Sequence, residues 1–288
     1  MAERNQAEDH GTSLDAPVED KEDAAENHGL SAVSVYIVVH EEGMDELRRP
    51  VKSLWWSGVA AGIAISASVL AEGILHSIFE DHPYRPAIEN LGYTVGFVLV
   101  ILGRLQLFTE NTITAILPLL SRPSRDMLWC TARLWTIVFF ANMVGTLSAA
   151  IMTLWIGTVP PDYVEGMMAI SAHYAELGVW DVFVRGTPAG FFVAAIVWML
   201  PSARASSIFV IMMFTYLIAM GDFTHVIAGS TELFLLLLDG QIGVSHALSL
   251  LVATLLGNIL GGTGLFAVLA YGQVADEMDD EAQRADRR

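Results

Sequence analysis

The sequence predicts an all-α membrane protein of six transmembrane helices, arranged as an inverted 3+3 repeat in which helices 2 and 5 are interrupted. Three observations predict it. Hydrophobic residues make up 53% of the chain and charged residues only 16%, at a mean hydropathy of +0.49, which is far from an ordinary soluble domain. Apolar runs long enough for the roughly 30 Å hydrocarbon core of a bilayer follow one another from residue 53 to residue 271. Two of those runs are overlong, and each carries a polar break, at 107–112 and at 221–230. With three spans per half, an odd number, the second repeat must be inverted relative to the first.

The chain opens on an acidic tail, residues 1–30, in which Asp and Glu far outnumber Arg4 and Lys21; such a composition is expected to be water-facing and disordered, and it shows no signal peptide. Residues 31–49 mix Val33, Val35, Ile37 and Val38 with Glu41, Glu42, Asp45, Glu46, Arg48 and Arg49, too polar to span and suited to a surface-lying cytoplasmic helix that leads into Pro50. The six-helix membrane domain is expected over 53–272, with spans at 53–79, 91–120, 128–156, 179–200, 206–238 and 245–271. A charged cytoplasmic tail, 273–288, also expected to be disordered, closes the chain. The net charge of -17 sits largely in the two tails and disfavours nucleic-acid binding. The single Cys130 excludes an intrachain disulfide framework and any multi-Cys metal site.

Orientation follows from the basic residues near the span ends. Arg48, Arg49, Lys52, Arg122, Arg125, Arg204, Arg284, Arg287 and Arg288 fall on one side and only Arg85 on the other. Both termini are therefore expected in the cytoplasm, with the long 158–178 connection outside.

The halves echo each other. Gly58-Val59-Ala60-Ala61-Gly62 in span one matches Gly186-Thr187-Pro188-Ala189-Gly190 in span four, and Ala141-Asn142-Met143-Val144-Gly145 in span three matches Gly257-Asn258-Ile259-Leu260-Gly261 in span six. Small residues four apart let helices approach closely, and packing is the expected role of Gly58, Gly62, Gly257 and Gly261. Phe108-Thr109 in the first break reads like Phe223-Thr224 in the second.

Broken helices are costly in lipid unless the gap is buried in protein or lines a wet cavity, so two of them point to a substrate path at the bilayer midplane. Each restarting half-helix offers free N–H groups and a positive dipole end, favourable to an anion in transit. His225 lies in the second break, where an imidazole either exchanges protons with a weak-acid anion or simply hydrogen-bonds the broken backbone.

Taken in order, Leu107-Phe108-Thr109 with Thr112 and Thr114, then Phe223-Thr224-His225-Val226-Ile227-Ala228, then Gly257-Asn258-Ile259-Leu260-Gly261-Gly262 resemble the formate/nitrite transporter family from about residue 53 to 271. The resemblance implies an aquaporin-like protomer, a homopentamer in the inner membrane, and one pore per protomer for small monovalent anions, with possible proton coupling. By position it makes His225 the central pore histidine, Thr109 the threonine that approaches it, and Leu107 and Phe108 the apolar constriction on the cytoplasmic side; Phe223 and Thr224 belong to the same path. The resemblance implies no cofactor or metal and no enzyme, and the sequence carries no Gly-rich nucleotide loop, nucleophile elbow or other soluble catalytic signature.

The sequence also departs from the family pattern. It has no Lys after Lys52, and Gly190 stands where the family carries Asn. Glu72, Arg104, Glu110, Arg133, Arg185, Asp222 and Glu232 all lie within or beside spans. Helical spacing puts Glu72 on the face of Gly58, Ala61, Gly62 and Ser68, hence toward protein. Buried ion pairs are the expected arrangement, for example Glu72 or Glu110 with Arg104, while Arg185 is a candidate anion attractor in place of the missing Lys. Asp222, three residues before His225, is close enough to bear on its protonation. Two other readings stand beside the anion path: a cation or neutral-solute channel using Glu72, Glu110 and Asp222, and a membrane metalloenzyme built from Glu72 and His76 with His225 or His246.

Overall fold

The structure, a computed structural model, describes residues 29–286, with side chains described through Glu277. Most of the expected acidic tail, residues 1–28, lies outside them. All regular structure among the described residues is helical.

Helix α1 (Ala32–Arg48) starts at Ser31, whose Oγ accepts the Ser34 N–H at 3.1 Å, and stops ahead of Pro50, which disfavours helix in the residue before it. It buries Val33, Val35, Tyr36 and Val39 against Ile113, Ile116, Leu117 and Val274. Arg133 ties down its C-terminal end by donating to the carbonyls of Leu47 at 2.7 Å and Arg49 at 3.3 Å.

His40 holds the same helix to the membrane domain through Nε2 and Ser121 Oγ, 3.1 Å apart. Burial, with Arg122 adding to it and Glu41 opposing, pushes the His40 imidazole below its ordinary range. The unfolded chain therefore binds this proton more readily than the folded one. The contact is fully stable above roughly pH 6.5, the unfolded value, and weakens as pH falls through the lower folded value. The protection of α1 amides, corrected for the intrinsic pH dependence of exchange, is expected to fall as pH drops below about 6.5, and His40→Gln to flatten that response.

The membrane body follows as α2 (Val51–Ile78), α3 (Arg85–Leu102), the short α4 (Asn111–Thr114) and α5 (Ile116–Ser121), and α6 (Arg125–Ile151) with a π-helical end. Then come α7 (Pro161–Ala175), α8 (Val179–Met199), α9 (Ser207–Met220), α10 (Val226–Leu238) and α11 (Val244–Ile259). A π-helical stretch (Leu260–Ala267) joins α11 to α12 (Val268–Asp286).

Among the described residues, five helices are long and apolar enough to cross a membrane: Val51–Ile78, Arg85–Leu102, Arg125–Ile156, Val179–Met199 and Val244–Glu277. The fifth span, expected to be interrupted, is two half-length helices, α9 and α10, because the chain turns at 221–225. The predicted second span divides likewise into α3 and α4–α5. Where the sequence suggests a disordered tail after residue 272, helix continues to Asp286, and Val274 is fully buried in the cluster that α1 helps to form. The 158–178 connection carries α7, started by Pro161 at its first turn. It packs against α2 and α10, close enough that a Cβ on Gly166 would strike the Gly73 carbonyl and one on Gly73 the Met167 backbone.

Two helix crossings set the frame. Helices α2 and α6 meet where Gly62 faces Gly145, and α8 and α11 meet where Gly186 faces Gly257 and Gly190 faces Asn258. A Cβ on Gly190 would lie 2.7 Å from Asn258 Cα and carbonyl carbon, which explains glycine at a position where the resemblance anticipates Asn. Gly190→Ala is expected to cost about 1–3 kcal/mol by overpacking. Thermal melting of the detergent-solubilised protein checks it.

Candidate functional site

The two breaks are built by the same local chemistry. At the end of α3, Gly103 N–H donates to Leu99 O and Leu105 N–H to Val100 O, both at 3.0 Å, around Arg104 at φ 51°. At the end of α9, Gly221 N–H donates to Leu217 O at 2.9 Å and Phe223 N–H to Ile218 O at 3.0 Å, around Asp222 at φ 53°. The pattern is a left-handed helix stop that satisfies terminal carbonyls. The two copies are offset by 118 residues (222 − 104), so the structural counterpart of His225 is Leu107. The matching letters Phe108-Thr109 and Phe223-Thr224, offset by 115 (224 − 109), do not correspond.

Beyond each stop, one asparagine holds the extended backbone. Asn142 on α6 accepts the Phe108 N–H at 2.9 Å and donates to Gly58 O and Gln106 O, both at 2.8 Å. Asn258 on α11 accepts the Val226 N–H at 2.8 Å and donates to Gly186 O and Thr224 O, both at 2.9 Å. Each amide thus satisfies three backbone groups that the broken helix cannot, at full burial. The sequence shows both asparagines in repeated motifs, but their role was missed. A lone amide midway along an apolar span is the signal that marks them.

The breaks meet at Thr109 and His225, whose Oγ1 and Nε2 are 2.8 Å apart. Thr109 is 0% and His225 2% exposed. His225 also caps α10, its Nδ1 accepting the Ala228 N–H at 3.2 Å. That bond leaves the neutral ring's proton on Nε2, directed at Thr109 Oγ1. The threonine hydroxyl keeps its own hydrogen, for which no acceptor is within bonding distance among the described residues. Phe97 meets the imidazole edge-on at 5.0 Å between centroids. The N–H groups expected to be free at the start of α10 are partly spent: Asn258 holds that of Val226 and His225 that of Ala228.

Two cavities approach this pair. One, of about 500 Å³, lies on the α1 side and is lined by Glu42, Arg104, Gln106, Glu110 and Asn111 among others. The other, of about 490 Å³, lies on the α7 side, and His225, Thr224, Phe223, Tyr93, Glu72 and Glu232 line it. Residues 107–109 border neither cavity and form the partition between them. Leu107 is fully buried, and Phe108 turns its ring to Trp135 and Phe139 at 5.6 and 5.4 Å.

The charged residues pair differently from expectation. Arg104 meets neither Glu72 nor Glu110. Its side chain is 82% exposed and reaches Glu42 on α1 at 3.3 Å, because the left-handed turn projects it out of the helix line. Arg185 is not a free anion attractor, since it is paired with Asp222, which His173 also approaches at 3.2 Å. Asp222 is therefore engaged by bases on α7 and α8, and no hydrogen bond joins it to His225. Glu110 keeps Oε1 buried without a partner. Glu72 has no hydrogen-bond or ion-pair partner among the described residues. His76 is taken by Glu89 at 2.8 Å and His246 by Ala175 O at 2.9 Å, so neither joins Glu72 or His225 in a metal-like cluster.

Residues 33–272 match the profile of a family described as formate/nitrite transporter. The inner membrane protein YfdC of Escherichia coli (strain K12) is 35% identical over 258 residues, covering 89% of this chain and 83% of that protein. A solved pentameric formate channel with formate bound superposes at a TM-score of 0.67 and 22% identity, over 78% of this chain and 97% of its own. A solved FNT family ion channel superposes at 0.73 and 17% identity, over 84% and 99%. At these identities the two structures speak for the fold.

Proposed function

The chain belongs to the formate/nitrite transporter family, and from that premise we propose that it moves small monovalent anions, of the size of formate or nitrite, along a path centred on Thr109 and His225. It is a transport protein and not an enzyme. The observation that carries the substrate path is the buried Thr109–His225 contact joining the two helix breaks, with His225 lining the α7-side cavity and Gln106 and Glu110, on either side of 107–109, lining the α1-side one. With His225 Nε2–H donating to Thr109 Oγ1, the threonine hydroxyl is polarised and has a hydrogen to give. A permeant reaching the partition, as the anion or as its neutral acid, meets that donor at the positive end of α10. Phe223 and Thr224 line its approach from the α7 side, and Leu107 with Phe108 supplies the apolar barrier.

The same premise favours a homopentamer, as in the solved formate channel. A groove lined by Trp55, Trp56, Ile137 and Phe140 on the outer surface offers an apolar subunit contact. The basic residues at the span ends favour an inner-membrane protein with both termini in the cytoplasm, which places the α1-side cavity inside and the α7-side cavity outside.

Reconstituted into liposomes, the protein is expected to admit at least one of formate, nitrite, acetate and hydrosulfide faster than empty vesicles do. Failure of all four sinks the anion reading. Potassium or sodium flux that disappears on neutralising Glu72, Glu110 and Asp222, yet survives removal of Arg185, would favour the cation path instead.

A further inference from the structure

We infer that Glu72 and Glu232 form a proton-loading pair on the wall of the α7-side cavity, and that a weak-acid anion takes its proton from this pair and not from His225. The inference rests on the anion path proposed above and assigns the regulation of that path to two residues outside its centre.

Glu72, midway along α2, is only 9% exposed, lines the cavity, and has neither a hydrogen bond nor an ion pair among the described residues. Glu232 lines the same cavity from α10, two turns beyond His225, and is likewise unpaired. The two carboxyls thus share one cavity, entering its wall from α2 and from α10. The neighbouring acids are already committed. Glu89 on α3 is held by His76 at 2.8 Å and by Arg85 at 3.5 Å. Asp222 is held by Arg185 and His173. Of the tyrosines facing the pair, Tyr174 on α7 bonds Thr254 at 2.6 Å, and Tyr93 on α3 packs on Phe97. His225 has both ring nitrogens engaged, Nδ1 in the α10 cap and Nε2 on Thr109, so giving up a proton there breaks the contact that defines the centre.

The two free carboxyls are therefore the protonatable groups left on the approach to His225. An isolated carboxylate at that depth is expensive, and such groups mark proton paths. A metal cation would need several further oxygen ligands, and no set of three or more His, Cys, Asp or Glu disposed for one exists among the described residues.

The step balances without any redox partner. A protonated carboxyl of the pair breaks its O–H bond and the anion forms one, giving a carboxylate and the neutral acid. The neutral acid crosses the partition at 107–109 and gives its proton to water in the opposite cavity. Water in the α7-side cavity reloads the carboxylate. One proton and one anion have then moved together.

The test is formate uptake by liposomes holding the intact oligomer and a trapped pH dye, across external pH. Wild type is expected to admit about one proton per formate, and Glu72→Gln with Glu232→Gln to abolish proton entry, flatten the pH profile and slow formate about a hundredfold or more, the usual range for a lost general acid. Glu72→Asp with Glu232→Asp should keep the coupling. If the double Gln protein does not assemble, Glu232→Gln alone, at the less buried partner, is read in the same way. Unchanged coupling and pH profile in the Gln variants overturns the pair, as does formate entry without protons or uptake driven by a sodium gradient in wild type. Wild type that moves no formate, nitrite, acetate or hydrosulfide overturns the anion path itself, and the pair with it.

Discussion

Asn258→Leu is expected to leave little assembled protein. The leucine fills a similar volume, so the loss is one of hydrogen bonds and not of packing. The Val226 N–H and the carbonyls of Gly186 and Thr224 lose their partner together, at a fully buried site. At about 1–3 kcal/mol for each stranded group, the sum is on the order of 5 kcal/mol, comparable with the whole stability of a folded domain. Asn142→Leu should do the same in the first half. Asn258→Asp keeps the acceptor for Val226 and loses the two donated bonds, so it should fall between. Yield of oligomer in mild detergent and its melting temperature measure the series. An Asn258→Leu protein that melts within a few degrees of wild type would show that the breaks are held by something else.

The breaks themselves were legible because a polar, Gly-bearing stretch inside an apolar run contradicts its surroundings. His225 stood out for the same reason. The partners of the charged residues were not legible. Arg104 is 62 residues from Glu42 in sequence, and Arg185 is 37 from Asp222. Helical spacing says which face a side chain occupies, but Arg104 and Asp222 sit at left-handed turns, where the helical rule for direction no longer applies.

Register was misread for a related reason. The eye matched Phe-Thr to Phe-Thr, whereas the backbone repeats at the turn preceding each pair. The hydrogen-bonding groups that fix the offset belong to the main chain, and main-chain bonds leave no letter in a sequence. The end of the chain was misjudged on composition alone. Its charges suggested disorder, yet Val274 and Tyr271 supply an apolar face that docks beside α1.

The second large effect is expected at His225, and the choice of substitution separates its two roles. Asparagine is a good helix cap, so His225→Asn should keep the start of α10 and melt within about 1 kcal/mol of wild type. It is too short to reach Thr109, and the polarised hydroxyl in the partition is lost. A hydrogen bond to the neutral acid that crosses there is worth about 0.5–1.5 kcal/mol, so flux should drop roughly 2- to 10-fold. Thr109→Val removes the same hydroxyl from the other side while preserving shape, and should cost a similar amount. If the two residues act as one donor, the double variant is no slower than either single, a non-additivity that independent roles cannot produce. With the proton supplied by Glu72 and Glu232, the pH profile of the residual flux should stay that of wild type in all three variants. A His225→Asn protein that loses its pH dependence along with its rate would return the proton to the imidazole, and the carboxyl pair would then have no part in loading it.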